Sequence, residues 1–115
     1  IQLPFNVVMA DAFTVEGQSG TEGFQSALWF AHEAGLDVFT SASLAQGQLA
    51  GGLPEEIAAR VEGETSAQRA INFARSAPGV TSSLVGMGSP EHVAENVAAG
   101  TSPPLGAETF DEIFE

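Results

Sequence analysis

The chain has no cysteine, no lysine and no tyrosine. Without cysteine there is no disulfide framework, no thiolate metal site and no Cys nucleophile, so extracellular mini-protein and zinc-ribbon classes fall away and cytoplasm is the expected compartment. Three arginines stand against fifteen acidic residues, a formal charge of −12. With no basic face to release phosphate counterions, nucleic acid and anionic membrane surfaces are excluded as partners. No apolar run reaches the roughly 18 residues that span a bilayer, and no basic start leads into a hydrophobic stretch. A soluble chain is expected.

What remains is 115 residues with 43% hydrophobic content, enough for one modest core or for part of a larger one. The acids are scattered rather than gathered in a tail, and the apolar fraction is that of a folded protein. Such a surface suits concentrated salt, where self-repulsion is screened, and points to a halophilic setting. A first residue of Ile instead of Met is expected of a truncated or processed piece.

Residues 1–9 are extended in character, with Pro4 favouring a strand end or edge. Residues 16–20 read as a turn-rich linker. Thr21 then caps a helix running through Phe24, Leu28, Ala31 and His32 to a C-capping Gly35. Leu36–Ser43 is short, apolar and β-prone, which predicts a buried strand. A long loop follows to Pro54, which opens a short helix to about Glu62. Thr65 or Ser66 caps the next helix, stopped by Pro78-Gly79. Val80–Val85 is a strand, Gly86–Gly88 a tight turn, and Ser89-Pro90 the start of a helix to Ala99. Pro103-Pro104 is a stiff connector and Glu108–Phe114 a terminal helix. Trp29, Phe30 and Phe73 read as core or helix-packing residues.

This alternation predicts an α/β fold with about three parallel βα units plus a C-terminal helix. Helices on one face leave the other face of the sheet and both edges open, so something must cover them.

Two turns stand where parallel α/β proteins place ligands, at the C-terminal ends of strands. The first is Ser41–Gly47, whose hydroxyls and N–H groups suit a pyrophosphate; an ordinary polar βα loop fits the pattern equally. The second is Gly86-Met87-Gly88-Ser89-Pro90-Glu91-His92, a glycine-rich turn into a helix N-terminus, which favours an anion. It falls short of the dinucleotide fingerprint because Glu91 occupies the third glycine position. His92 and Glu95 share a helical face, but with only His32 as a further imidazole the set is too thin for a metal site. Neither Ser41 nor Ser43 sits in a nucleophile elbow.

Four segments then occur in a specific order: Gln2-Leu3-Pro4-Phe5-Asn6; Gly35 to Gly47 with its Thr40-Ser41-Ala42-Ser43-Leu44-Ala45-Gln46 core; Pro78-Gly79-Val80-Thr81; and Leu84-Val85-Gly86-Met87-Gly88-Ser89-Pro90-Glu91-His92-Val93-Ala94-Glu95-Asn96. Together they resemble the C-terminal part of the aldo-keto reductases, with residues 1–115 covering the sixth barrel strand to the terminal helix. The resemblance implies a partial TIM (β/α)8 barrel, since the whole family fold needs about 250 residues. It implies NADP or NAD as cofactor, in an oxidoreductase acting on carbonyls or alcohols. By position, Gln2 would bond the nicotinamide carboxamide, and Ser43, Leu44 and Gln46 would lie along the pyrophosphate. Gly86, Met87, Gly88, Ser89, His92, Glu95 and Asn96 would surround the adenosine end, with Glu95 and Asn96 as the adenine-binding pair.

Departures accompany the matches. Ser41 stands where the family commonly stacks an aromatic ring on the nicotinamide. Gly86 and His92 stand where Lys or Arg usually meets a 2′-phosphate. The family's proton donor is a tyrosine assisted by lysine, histidine and aspartate from the N-terminal half, and this chain has neither tyrosine nor lysine. The chain alone is therefore expected to contribute cofactor contacts, with weak or absent binding by itself and no turnover, and to have the N-terminal barrel half as its partner. Two other readings stay open: a non-enzymatic half-barrel that self-associates, and an open-sheet dinucleotide-binding module.

Overall fold

A computed structural model describes residues 1–20, 23–44 and 48–114. Three short strands, β1 (Gln2–Pro4), β4 (Phe39–Ser41) and β5 (Ser82–Ser83), form a parallel sheet in the order β1-β4-β5. The register pairs Leu3 with Thr40 and Thr40 with Ser83. Between β1 and β4 lie α1 (Asp11–Thr14), a hairpin of β2 (Gln18–Gly20) and β3 (Gly23–Gln25), and α2 (Ala27–Glu33). Between β4 and β5 lie a 3-10 turn at Gln48–Gly51, α3 (Glu55–Ala58) and α4 (Ser66–Ser76). After β5 come α5 (Pro90–Ala98), a 3-10 turn at Ala99–Thr101 and α6 (Ala107–Ile113).

The α/β alternation and the parallel strands follow the sequence pattern, but several bounds shift. The segment expected to start the first long helix is instead the antiparallel hairpin, with Gln18 opposite Gln25 and Gly20 opposite Gly23. Helix α2 starts six residues after Thr21, capped by Ser26, whose hydroxyl accepts from Trp29 N at 3.1 Å. Phe24 therefore lies on β3 and is 70% exposed, and Trp29 is 52% exposed against the His32 ring, so neither packs in the core. The far end of α2 is as the sequence predicts. Gly35 adopts φ +72°, its N–H reaches His32 O, and Leu36 N–H reaches Ala31 O, which is the paired bonding of a Schellman cap. Residues 84–88 run without a turn, and neither Gly86 nor Gly88 has positive φ.

Helix α4 organises the core. Thr65 caps it by accepting from Gln68 N, and Ala67, Ala70, Ile71, Phe73 and Ala74 are all buried. Phe73 lies parallel to Phe5 with ring centroids 6.0 Å apart and meets Phe110 of α6 at 5.0 Å, while Phe13 meets Phe110 edge-on at 4.9 Å. Three stretches far apart in sequence, carrying Phe5 and Phe13, Phe73, and Phe110, thus share one aromatic cluster, an arrangement favoured by both area burial and ring geometry.

Polar groups on α4 tie down the following connector. The fully buried Asn72 donates to Glu62 O and Pro103 O at 3.1 and 2.9 Å. Its own oxygen accepts from Arg75 Nε, and Arg75 Nη2 in turn donates to Ser102 O. Because the Asn72 amide is fully buried and needs partners, its bonds, with that of Arg75, tie residues 102–103 to α4.

The rung Leu3–Thr40–Ser83 faces the helices, with Thr40 fully buried and its hydroxyl 2.8 Å from that of Ser83. The alternate rung, Gln2–Phe39–Ser82, is exposed, Phe39 by 44%. Among the described residues the sheet is covered on one face only.

Candidate functional site

A cavity of about 370 Å³ opens where the chain leaves β4 and β5. One wall is Ala42, Ser43 and Leu44, and the facing wall is Leu84, Val85 and Gly86. Helix α5 closes a third side with His92, Glu95 and Asn96, and Ala67 of α4 forms part of the lining. Parallel strands put their carboxyl ends together, so the loops leaving them converge on one rim where backbone and side-chain polar groups are free to meet a ligand.

The walls are held by specific bonds. Asn6, fully buried, donates from Nδ2 to Ala42 O at 2.7 Å, and its Oδ1 accepts from Val8 N and Met9 N. Ser43, 2% exposed, donates to Leu84 O at 3.3 Å, linking the two loop walls. Gln68 donates from Nε2 to Glu95 O at 3.0 Å, so α4 fixes the third wall.

Helix α5 begins with Ser89 as cap and Pro90 at its first position. Ser89 Oγ accepts from His92 N at 3.2 Å and Ser89 O accepts from Val93 N. Proline has no N–H, so the first turn keeps little donor capacity for an anion.

Six of the residues singled out in the sequence line this cavity: Ser43, Leu44, Gly86, His92, Glu95 and Asn96. Met87 lies in a neighbouring groove with Arg75, Val85 and Asn96. Gly88 is exposed, and Ser89 serves as the cap. Ser41 ends β4, where its carbonyl accepts from Phe5 N at 3.1 Å. Gln2 is on the exposed rung of the sheet, outside the cavity lining. Gln46 lies outside the described residues. Asn6 was visible within the Gln2–Asn6 motif, but nothing in the sequence marks it as the residue that fixes Ala42.

Helix α5 supplies an amide and a carboxylate to the cavity lining. Asn96 is 7% exposed and lines the cavity. An amide both donates and accepts, and the adjacent Glu95 carboxylate accepts only. The volume is near the lower end of ligand pockets, roughly 300 Å³ and upward.

The model of the aldo/keto reductase family matches residues 15–115. Among solved structures, the holo form of the aldo-keto reductase AKR11C1 from Bacillus halodurans is similar, with a TM-score of 0.67 and 20% identity. The likeness covers 98% of this chain and 40% of that chain, so this chain spans less than half of that protein's length. A comparison with curated proteins finds no match.

Proposed function

The chain belongs to the aldo/keto reductase family, and from that premise we propose that residues 1–115 are the C-terminal, cofactor-holding part of an NAD(P)-dependent carbonyl or alcohol oxidoreductase with a (β/α)8 barrel. The observation that carries the reading is the cavity at the strand ends, which Asn96, 7% exposed, and Glu95 line together with Ser43 and Gly86. In this reading Glu95 and Asn96 hold the adenine, Ser43 and Leu44 run beside the phosphates, and Gln2 meets the carboxamide from the sheet. The nicotinamide, when bound, supplies hydride. This chain's residues bind and orient it, and with no tyrosine or lysine they offer no family-type proton donor.

The partner in this reading is the N-terminal half of the barrel, laid over the exposed Gln2–Phe39–Ser82 rung. That same rung supports a second reading, in which two copies of the chain cover each other and the cavity is an ordinary loop pocket.

Calorimetric titration of the 115-residue chain with NAD+ and NADP+, alongside a carbonyl reduction assay with the reduced cofactors, tests the proposal. Binding of at least one cofactor, weakened by Asn96→Ala, without turnover is the expected result. Turnover by the chain alone would refute the division of labour, and absence of any nucleotide binding together with a stable dimer by light scattering would favour the second reading.

A further inference from the structure

The whole chain has three cations besides its terminus and histidines, namely Arg60, Arg69 and Arg75. Arg60 pairs with Glu112 of α6 at 3.5 Å, and Arg75 is engaged with Asn72 and Ser102 O. No arginine lines the cavity among the described residues, and its one acidic group is Glu95. The three residues that follow Leu44, Ala45-Gln46-Gly47, are uncharged in sequence. The start of α5 is short of donors, as its cap already takes the His92 and Val93 N–H groups.

From this census we infer that the cavity selects the unphosphorylated dinucleotide and disfavours a 2′-phosphate, an inference that rests on the cofactor-holding reading above. A ribose 2′-phosphate adds up to two negative charges and needs donors, preferably charged ones. Within the cavity it meets no guanidinium or ammonium, only the His92 imidazole and the Glu95 carboxylate; Arg75 lies in the adjoining groove with its guanidinium already engaged by Asn72 and Ser102 O, and the chain's charge is −12. Free ribose hydroxyls need no such compensation, and a carboxylate accepts from them well. The discrimination is electrostatic, so it should shrink as salt screens it.

Gly86 is the place to test this by gain of charge. It lines the cavity, its φ is not in the left-handed region, and a Cβ added there meets nothing within 4 Å. Calorimetric titrations of the wild-type chain and Gly86→Arg with NAD+, NADP+, ADP and 2′-phospho-ADP, in 0.1 M and 2 M KCl, read the discrimination directly. In the wild type, NAD+ should bind roughly tenfold more tightly than NADP+ at low salt, the size expected of one uncompensated charge contact at a protein surface. That ratio should contract in 2 M KCl, and Gly86→Arg should close or reverse it. Equal or tighter binding of NADP+ by the wild type at low salt overturns the inference while leaving the cofactor-holding reading intact. Failure of all four nucleotides to bind overturns that reading, and this inference with it.

Discussion

The side-chain amide of Asn6 donates to the carbonyl of Ala42 at 2.7 Å, joining the loop after β1 to the loop after β4. Ala42 has φ +59°, the one positive value among the described non-glycine residues. That conformation costs an alanine about 1 kcal/mol or more, so it persists because the surroundings over-determine it. Asn6 supplies the constraint, and Ser43 continues it by bonding Leu84 O. The cavity wall is therefore set by a relay across three strand ends.

Replacing Asn6 with Ala should destabilise the chain by about 2–4 kcal/mol, because three hydrogen bonds made by a fully buried side chain are lost. Asn6→Asp keeps the acceptor for Val8 N and Met9 N but loses the donor to Ala42 O. It separates the cavity wall from the local turn. Urea unfolding in 2 M KCl measures both, and a loss below 1 kcal/mol for Asn6→Ala would show that the relay does not hold the wall.

The aromatic cluster gives a larger effect at Phe73, which is fully buried and touches Phe5, Phe110 and Phe114. Phe73→Ala should cost about 3–5 kcal/mol through lost burial and the cavity left behind. Phe73→Leu should recover much of this. Loss of the near-ultraviolet circular dichroism signal together with the unfolding midpoint checks that the cluster is what fails.

Much of this was legible in the residues where local chemistry leaves few options. Gly35 as a helix stop, Thr65 as a cap and Ser89-Pro90 as a helix start all depend on neighbours in sequence, and all three hold in the structure. The hairpin at Gln18–Gln25 was not legible. Each of its strands has three residues, too few for alternation to show, and Thr21 offered a helix cap that Ser26 takes instead. Six of the expected site residues share the cavity, since strand ends and a helix start bring them there. The role of Asn6 escaped because its partner is 36 residues away. The exposure of Trp29 depends on how the hairpin and α2 pack, which no local rule supplies.

Two glycines separate backbone need from open space. Gly79 has φ +94°, and a Cβ there would stand 3.1 Å from Leu28 O. Gly79→Ala should therefore destabilise by about 1–2 kcal/mol, through the left-handed conformation and the contact together. Gly86→Ala should stay within about 0.5 kcal/mol of wild type, as a surface change free of such constraints. Equal effects at the two positions, measured by chemical denaturation, would contradict the backbone assignment of residues 77–80.

Charge sets the last expectation. Glu33 is the final residue of α2, where the helix dipole is negative, and its chain already carries a net −12. A carboxylate there is repelled by the helix end and by the remaining acids, so Glu33→Gln should stabilise the chain by about 0.3–1 kcal/mol at 0.1 M KCl. The sign follows from removing a negative charge at a negative pole. Screening shortens to about 3 Å near 1 M salt, and the gain should vanish there while the wild type itself becomes more stable. Thermal unfolding of both proteins across a KCl series gives the comparison. A gain that persists unchanged into molar salt would assign it to lost side-chain entropy or packing, and would leave the acidic surface without a part in the chain's stability.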